Sequence, residues 1–453
     1  MTRKVMALIP ACASNKRNAA AIGVKAGRSG PLPHYDPDEP KSVRDRFKCW
    51  FYDGFGQDCS VSINGLREKL AMRKLLVVLL AAWAGWAWGL LFYPARATDV
   101  TFLVTSDCHY DAWENEDRNL RNRDTIEHMN RISTVDWPES LGGGKIGMPR
   151  GVLVLGDLID DGDRLFQGQN QGAQQWKYFL ADFGLFGTEG LLRYPVFEGW
   201  GNHDGPPVGR EKHGFSLQAE LIRRNQLRAQ KGLIQNVSDN GLHYSWDWDG
   251  IHFVQLNLFP GDHPHPKVRY SPEYHDPQGS LRFLQADLAS QVGESGRPVV
   301  LLHHYDLQGS DWWHPEQVEA YWQAIRPYRV IAIFHGHTGT GVYKWKGIDV
   351  INTGQTEKGF FVVQITDRRM RLAYRVKLER QIPGPDGKPQ RYWDGSWGWH
   401  HLFQKELLPP RDTPLEGSEK GPSHGKVGHL FEKEPAASII VDAQGVIAPA
   451  CGR

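Results

Sequence analysis

Five short segments of this chain carry side chains that bind cations and move protons: Asp107-Cys-His109, Gly156-Asp157, Gly201-Asn-His-Asp204, His303-His304 and His335-Gly-His337. Carboxylates and a carboxamide are hard oxygen donors and imidazoles are nitrogen donors; together they suit divalent ions such as Mn, Fe or Zn. Histidine also changes charge near neutral pH, so the same set can serve acid–base chemistry. An aspartate at the end of a strand is ordinary when alone, because it commonly caps the next turn. Five such segments in one chain are not ordinary.

Each segment needs an element to position it, and each follows a short apolar run. Thr101-Phe-Leu-Val-Thr leads to Asp107, Val152-Leu-Val-Leu to Asp157, and Pro195-Val-Phe-Glu to Asn202. Pro298-Val-Val-Leu-Leu leads to the His303-His304 pair, and Val330-Ile-Ala-Ile-Phe to His335. Runs of this length and composition read as buried strands. Open α/β sheets build their sites at the carboxyl ends of such strands. Between them, helices are expected over 112–131, 174–183, 218–230, 280–292 and 316–325. A strand pair is expected over Leu242–Trp248 and Ile251–Asn257, turned by Asp249-Gly. After His337 the pattern becomes strand upon strand, through Tyr343-Lys-Trp, Asp349-Val-Ile-Asn, Phe360 to Ile365 and Arg371 to Val376.

Asp-x-His, Gly-Asp, Gly-Asn-His-Asp, His and Gly-His, in that order, resemble the calcineurin-like metallophosphoesterases over about residues 100–380. The last motif departs from the usual Gly-His-x-His and reads Gly336-His-Thr-Gly339. The resemblance implies an α/β fold, a four-layer αββα sandwich with two mixed β-sheets. It also implies two divalent metal ions, Mn, Fe or Zn, acting on a phosphate ester. By the same resemblance, Asp107, His109 and Asp157 would hold one ion. Asp157, Asn202, His304 and His337 would hold the other, with His303 as the alternative to His304. His203 would be the catalytic acid, with Asp204 holding its second ring nitrogen. Asp160, Asp161 and Asp163 are expected to form the following turn and cap the next helix. Gly339 leaves the first ion three protein ligands; the competing reading is that His335 replaces the missing one, although it lies on the wrong side of His337 for that ligand.

The expected function is an exported, metal-dependent phosphoesterase leaning to phosphomonoesters, its substrate a small-molecule or lipid phosphate ester. The alternatives are a phosphodiesterase for a nucleotide or lipid head group, and a non-catalytic, degenerate metal-binding member of the family. Trp312-Trp313 either wall the cleft or pack the helix that follows.

The remaining sequence sets the frame. A chain of 453 residues with 40% hydrophobic residues can bury a large core, and a net charge of +1 gives no field directed at nucleic acid. Residues 1–71 show no sustained periodicity and are expected to be mis-assigned upstream translation. Met72-Arg-Lys, the apolar run 75–92 and Ala95-Arg-Ala97 form the three parts of a secretory signal peptide over 72–97. The competing reading is membrane association through 75–92, at the lower length limit for crossing a bilayer. Of five cysteines only Cys108 and Cys451 follow that segment, which fits a periplasmic or secreted product without a disulfide framework. Cys108 reads as a small buried residue rather than a nucleophile. The catalytic domain is expected over 98–380. Residues 381–453, with their Pro/Gly linkers and with Trp393, Trp397 and Trp399, are expected to form a tail whose tryptophans fold back on the domain.

Overall fold

Along strand β1 (Asp99–Thr105) the side chains alternate between two apolar environments. Val100, Phe102 and Val104 enter one core cluster while Leu103 enters another. A strand that is buried on both faces must lie inside a layered structure, and the computed structural model has that form. It describes residues 98–113, 116–265, 272–308, 312–384 and 387–407. The signal-like segment 72–97, the stretch before it and residues 408–453 lie outside the described residues. Among the described residues, no helix is long and apolar enough to cross a membrane.

After β1 come β2 (Val152–Val154), the small hairpin of β3 (Leu165–Phe166) and β4 (Gln169–Asn170), β5 (Val196–Glu198), β6 (Asn236–Val237), β7 (Tyr244–Trp248) and β8 (Ile251–Gln255). Then follow β9 (Val299–Leu302), β10 (Val330–His335), β11 (Thr340–Trp345), β12 (Ile348–Thr353), β13 (Gly359–Thr366), β14 (Arg369–Pro383) and β15 (Pro389–Glu406). The helices are α1 (Glu116–Met129), α2 (Gly172–Phe183), α3 (Gln218–Gln230), α4 (Ser280–Asp287) and α5 (Pro315–Ile325). One mixed sheet has the order β15-β14-β13-β1-β2-β5 and the other β11-β12-β10-β9-β8-β7-β6.

Three apolar clusters order the layers. The middle one joins Phe102, Leu153 and Phe197 of the first sheet to Phe253, Val300 and Phe334 of the second. The outer face of the first sheet packs on Ile126 and Met129 of α1 and on Trp176, Phe179 and Phe183 of α2. The outer face of the second packs on Leu281 and Leu284 of α4 and on Tyr321 and Ile325 of α5. Spacings of three and four residues put each helix's apolar side chains on one stripe. The result is helix, sheet, sheet, helix, as the resemblance implies. Each core methylene withdrawn from water contributes about 0.8 kcal/mol, so the doubly covered strands dominate the stability.

Several expectations are corrected. The 280–292 helix is α-helical only to Asp287 and continues as a π-helical turn over Leu288–Val292. The boundary near 380 falls inside a hairpin: β14 pairs with β15 from Arg369↔Glu406 to Pro383↔Pro389. The two prolines stand at the open turn end, where a missing N–H costs no ladder bond in the strand interior. The tryptophans of this hairpin do cover the domain: Trp397 stacks on His128 with centroids 4.1 Å apart, and Trp399 lies over Trp137. Asp160, Asp161 and Asp163 do not cap a helix, because α2 begins only at Gly172. Instead Asp163 accepts the backbone N–H groups of Lys212 and His213, and Asp161 accepts that of Asp163.

Candidate metal centre

Strands β1, β2 and β5 run parallel in the first sheet, and β8, β9, β10 and β12 run parallel in the second. Their carboxyl ends meet at one end of the sandwich. Bonds across the sheets tie the crevice together: His304 Nδ1 lies 2.7 Å from the Leu155 carbonyl, and Leu258 N–H donates to Trp200 O at 2.9 Å.

The backbone departs from regular strand geometry where the side chains must converge. Asp107, His109, Asp157 and His337 all have positive φ, between 44° and 69°. This left-handed region is costly for residues with a Cβ and is held only where the surroundings over-determine it. The ladders supply that force: Asp107 N–H donates to Gly156 O and His109 N–H to Asp157 O, each at 3.0 Å. Gly201 is required by close approach, since a Cβ there would collide with the backbone and carboxylate of Asp157.

Asp157 lies at the centre. His304 Nε2 is 3.2 Å from Asp157 Oδ2 and equally far from Asn202 Oδ1. His109 Nε2 stands 3.7 Å from both Asp157 Oδ2 and Asp107 Oδ1. Asp107 Oδ2 accepts the His337 N–H at 3.0 Å and also the Ser106 hydroxyl. Two donor groups are compact enough to hold a cation, His109–Asp157–His203 and Asp157–His304–His337, with ligand atoms within 4.8 Å of one another. They share Asp157.

Charge is arranged accordingly. Burial alone would raise Asp157, but the imidazoles of His304, His203 and His109 hold it well below the usual carboxylate range. Asp107 follows the same logic, with burial outweighed by its bond to His109 and by the charge of His304. Burial works against the His304 cation, yet the Asp157 and Asp107 carboxylates lift it to about 9. His337 is pressed down to about 4 by burial and then by His304, so it presents a neutral ring. Two buried carboxylates thus rely on neighbouring protons for compensation, and a divalent cation supplies the same compensation with a better match to the donors.

The structure separates the two adjacent histidines. His304 enters the crevice, while His303 is fully buried among Trp313, Tyr321 and His335 with neither ring nitrogen bonded. His335 also turns away: its Nδ1 meets Gly336 O at 2.8 Å and its Nε2 the Tyr343 hydroxyl at 2.9 Å. Gly339 lines the cleft, and a Cβ at that position would have nothing within 4 Å.

His203 reaches the crevice with its Nδ1 on the Asp160 carbonyl, so the expected partnership with Asp204 is corrected. Asp204 instead accepts the N–H groups of Leu158 and Ile159 on one oxygen and of Gly201 on the other. It ties the Asp157 turn to the Asn202 turn, and burial followed by the charge of Asp157 pushes it up to about 7. His203 is raised above its ordinary value, burial being outweighed by Asp157 and Asp160. Cys108 is buried, its thiol pushed up by burial, with Sγ 3.2 Å from Thr356 Oγ1. Trp313 packs in the core, whereas half-buried Trp312 meets His337 edge-on at 4.5 Å.

Motif reasoning passed over one wall of the cleft. Besides the motif residues, the cleft of about 260 Å³ is lined by Thr338, Thr340, Gly354, Gln355 and Lys358. The last three follow β12, whose carboxyl end lies beside that of β10. The strand-end rule that found the other segments also points here, but Gln355 and Lys358 belong to no motif.

The family model of calcineurin-like phosphoesterases matches residues 100–340. Among solved structures the chain is similar to GAP50, the anchor in the inner membrane complex of Plasmodium, at 11% identity. That match covers 65% of this chain and 88% of the other, with a TM-score of 0.37. The phosphopantetheinyl hydrolase of Mycobacterium tuberculosis is 12% identical over 57% of this chain and 89% of its own, TM-score 0.31. A putative 5′-nucleotidase from Staphylococcus aureus is 11% identical over 70% of this chain and 56% of its own, TM-score 0.33. No functionally curated protein matches the chain.

Proposed function

The chain belongs to the calcineurin-like phosphoesterase family, and from that premise we propose that it is an exported hydrolase of phosphomonoesters that works with two divalent ions sharing Asp157. The observation that carries this reading is that two His/Asp donor groups have Asp157 in common. Asp107 Oδ1 lies 3.7 Å from His109 Nε2 of the first, and that group's third member, His203, is tied through Nδ1 to the Asp160 carbonyl. Asp107, His109 and Asp157 would hold one ion; Asp157, Asn202, His304 and His337 would hold the other. The donor chemistry fits Mn, Fe or Zn. When bound, the ions supply Lewis-acid charge to the phosphoryl oxygens and make a nucleophile available at neutral pH.

The chain's own residues do the rest. His304, anchored on Leu155 O, fixes the orientation of its Nε2 toward Asp157 and Asn202. Asn202 contributes a neutral oxygen, which limits negative charge facing an anionic substrate. His203 uses Nδ1 to hold the Asp160 carbonyl and keeps its other ring nitrogen for the cleft. Its raised affinity for a proton suits it to protonate the departing ester oxygen. Asp204 is a positioning residue, since it touches only the backbone of the two turns. Export rests on the sequence pattern of 72–97, and the phosphomonoester preference on the cleft described below.

Gly339 offers no donor, so the first ion is the labile one. The test is metal analysis after dialysis, paired with turnover of p-nitrophenyl phosphate and its bis ester with Mn²⁺ or with chelator. One retained ion and activity that rises on adding Mn²⁺ are expected. No metal-dependent turnover on either ester sinks the enzymatic reading and leaves a metal-binding member of the family.

A further inference from the structure

The loop from Gly354 to Lys358 is built into the site rather than draped over it. Thr356 N–H donates to Ser106 O at 2.9 Å, and the Thr356 hydroxyl reaches the same carbonyl at 2.9 Å. Ser106 and Gln355 form a parallel bridge. Thr356 also meets Thr105 Oγ1 and Cys108 Sγ, so the segment carrying Asp107 and His109 holds this loop from below. From the side, Glu357 is held by Arg121 and Arg391. Lys358 itself is fixed at the backbone, its N–H on Gln355 O and its carbonyl accepting from Lys377 N–H.

On this anchored backbone the Lys358 side chain is exposed and lines the cleft with Gln355. It is the one lysine or arginine among the described lining residues. Its ammonium has no hydrogen-bond or ion-pair partner among the described residues. Glu357, the other charged residue of the loop, is paired, so the Lys358 cation is left to the cleft that Gly339 also lines.

We propose that Lys358, assisted by Gln355, is the specificity-determining anion contact of this site, holding the extra negative charge that a phosphomonoester dianion carries over a diester. The inference rests on the phosphoesterase reading and adds the ester class. An ammonium is a compact point charge that gains most from the more highly charged ligand. A diester carries one charge and a second carbon substituent, and gives Lys358 less to hold.

The test uses the full-length protein loaded with Mn²⁺, with Lys358→Gln and Lys358→Arg. Binding of inorganic phosphate is measured by calorimetry, and kcat/KM is measured for p-nitrophenyl phosphate and for bis-p-nitrophenyl phosphate. Lys358→Gln is expected to weaken phosphate binding roughly 10-fold and to lower monoester kcat/KM by a similar factor, the scale of one charge-assisted hydrogen bond. The diester constant is expected to move by less than about 3-fold, and Lys358→Arg to stay within about 3-fold of wild type on all three measurements. Unchanged phosphate affinity in Lys358→Gln, or equal losses on the two esters, overturns the proposal. If the wild type hydrolyses neither ester, the binding arm still decides: loss of phosphate affinity in Lys358→Gln sustains the anion contact while the phosphoesterase reading fails. A wild type that binds no phosphate removes the anion contact.

Discussion

Asp157 and Glu198 follow or end neighbouring strands of one sheet, both are buried, and both carboxyls are held below their usual range. Their surroundings differ. Glu198 is gripped by Arg224, with Nε at 2.6 Å and Nη2 at 3.1 Å, and by Arg228 on the same oxygen as that Nη2. These guanidiniums project from α3, keep their charge at every working pH and fit a carboxylate in a fixed geometry. The cluster is closed, and nothing else needs to enter. Around Asp157 the partners are imidazoles at 3.2 and 3.7 Å, the backbone is left-handed, and the compensation is by protons that can leave. A buried carboxylate surrounded by permanent cations is a lock; one surrounded by titratable donors is a socket.

His252 sharpens the contrast within one residue type. It is as buried as His304, but its Nδ1 lies 2.8 Å from Asp247 and its Nε2 2.8 Å from Asp287. Each nitrogen meets one well-placed carboxylate, and Arg297 Nη2 lies a further 3.2 Å from Nδ1. The Nε2 of His304 is shared between Asp157 and Asn202 at longer range.

The comparison breaks most easily at Asp157. Asp157→Asn should lower turnover by at least roughly 10³-fold, the scale seen when several groups depend on one. It should also lower metal occupancy, because a neutral amide bridges two cations poorly; two tightly bound ions at a normal rate would remove Asp157 from the centre. His203→Ala should leave metal content near normal while lowering kcat roughly 10²–10⁴-fold. That loss should shrink for p-nitrophenolate, a good leaving group, and an equal loss across leaving groups would argue against the acid role.

Arg228→Met tests the lock. Removing one partner of a buried pair should destabilise the fold by roughly 3–5 kcal/mol in a denaturant titration, while metal content of the folded protein stays unchanged. A stability loss below about 1 kcal/mol, as for an exposed pair, would erase the distinction drawn here. The smallest effect concerns His252. Burial opposes its charge, but Asp247 and Asp287 outweigh burial and raise its proton affinity above the ordinary histidine value. The sign follows: the stabilisation is fully present below the unfolded-state pKa of about 6.5 and is lost as pH rises through the higher folded-state value. A His252→Gln variant should therefore differ most from wild type near pH 5–6 and least at high pH, in melting curves taken across that range. An identical gap at all pH values would make His252 a packing residue only.

Much of this was legible in the chain because the signals are local. Alternating apolar runs such as Val152-Leu-Val-Leu specify doubly buried strands, and a Gly-Asp or Asn-His-Asp at the run's end marks a carboxyl-end turn. Helix α3 was bounded correctly at Gln218 and Gln230 for the same reason: its periodicity is contained within its own residues. Tertiary structure decided what local pattern leaves open. His303 and His304 are equivalent in sequence, and the choice is made by Leu155 O, which belongs to the opposite sheet. Asp204 follows His203 directly, yet its carboxylate is taken by the backbone of the Asp157 turn some 45 residues away in sequence. The part of the β14–β15 hairpin beyond Val376 reads as linker because Pro383 and Pro389 bracket its turn, and its place in the sheet is supported by α1 and Trp137, which Trp397 and Trp399 cover. Lys358 carries no motif at all. Its place at the cleft depends on Thr356 meeting Ser106 across 250 residues, and contacts of that separation are made by the folded chain rather than announced by any stretch of it.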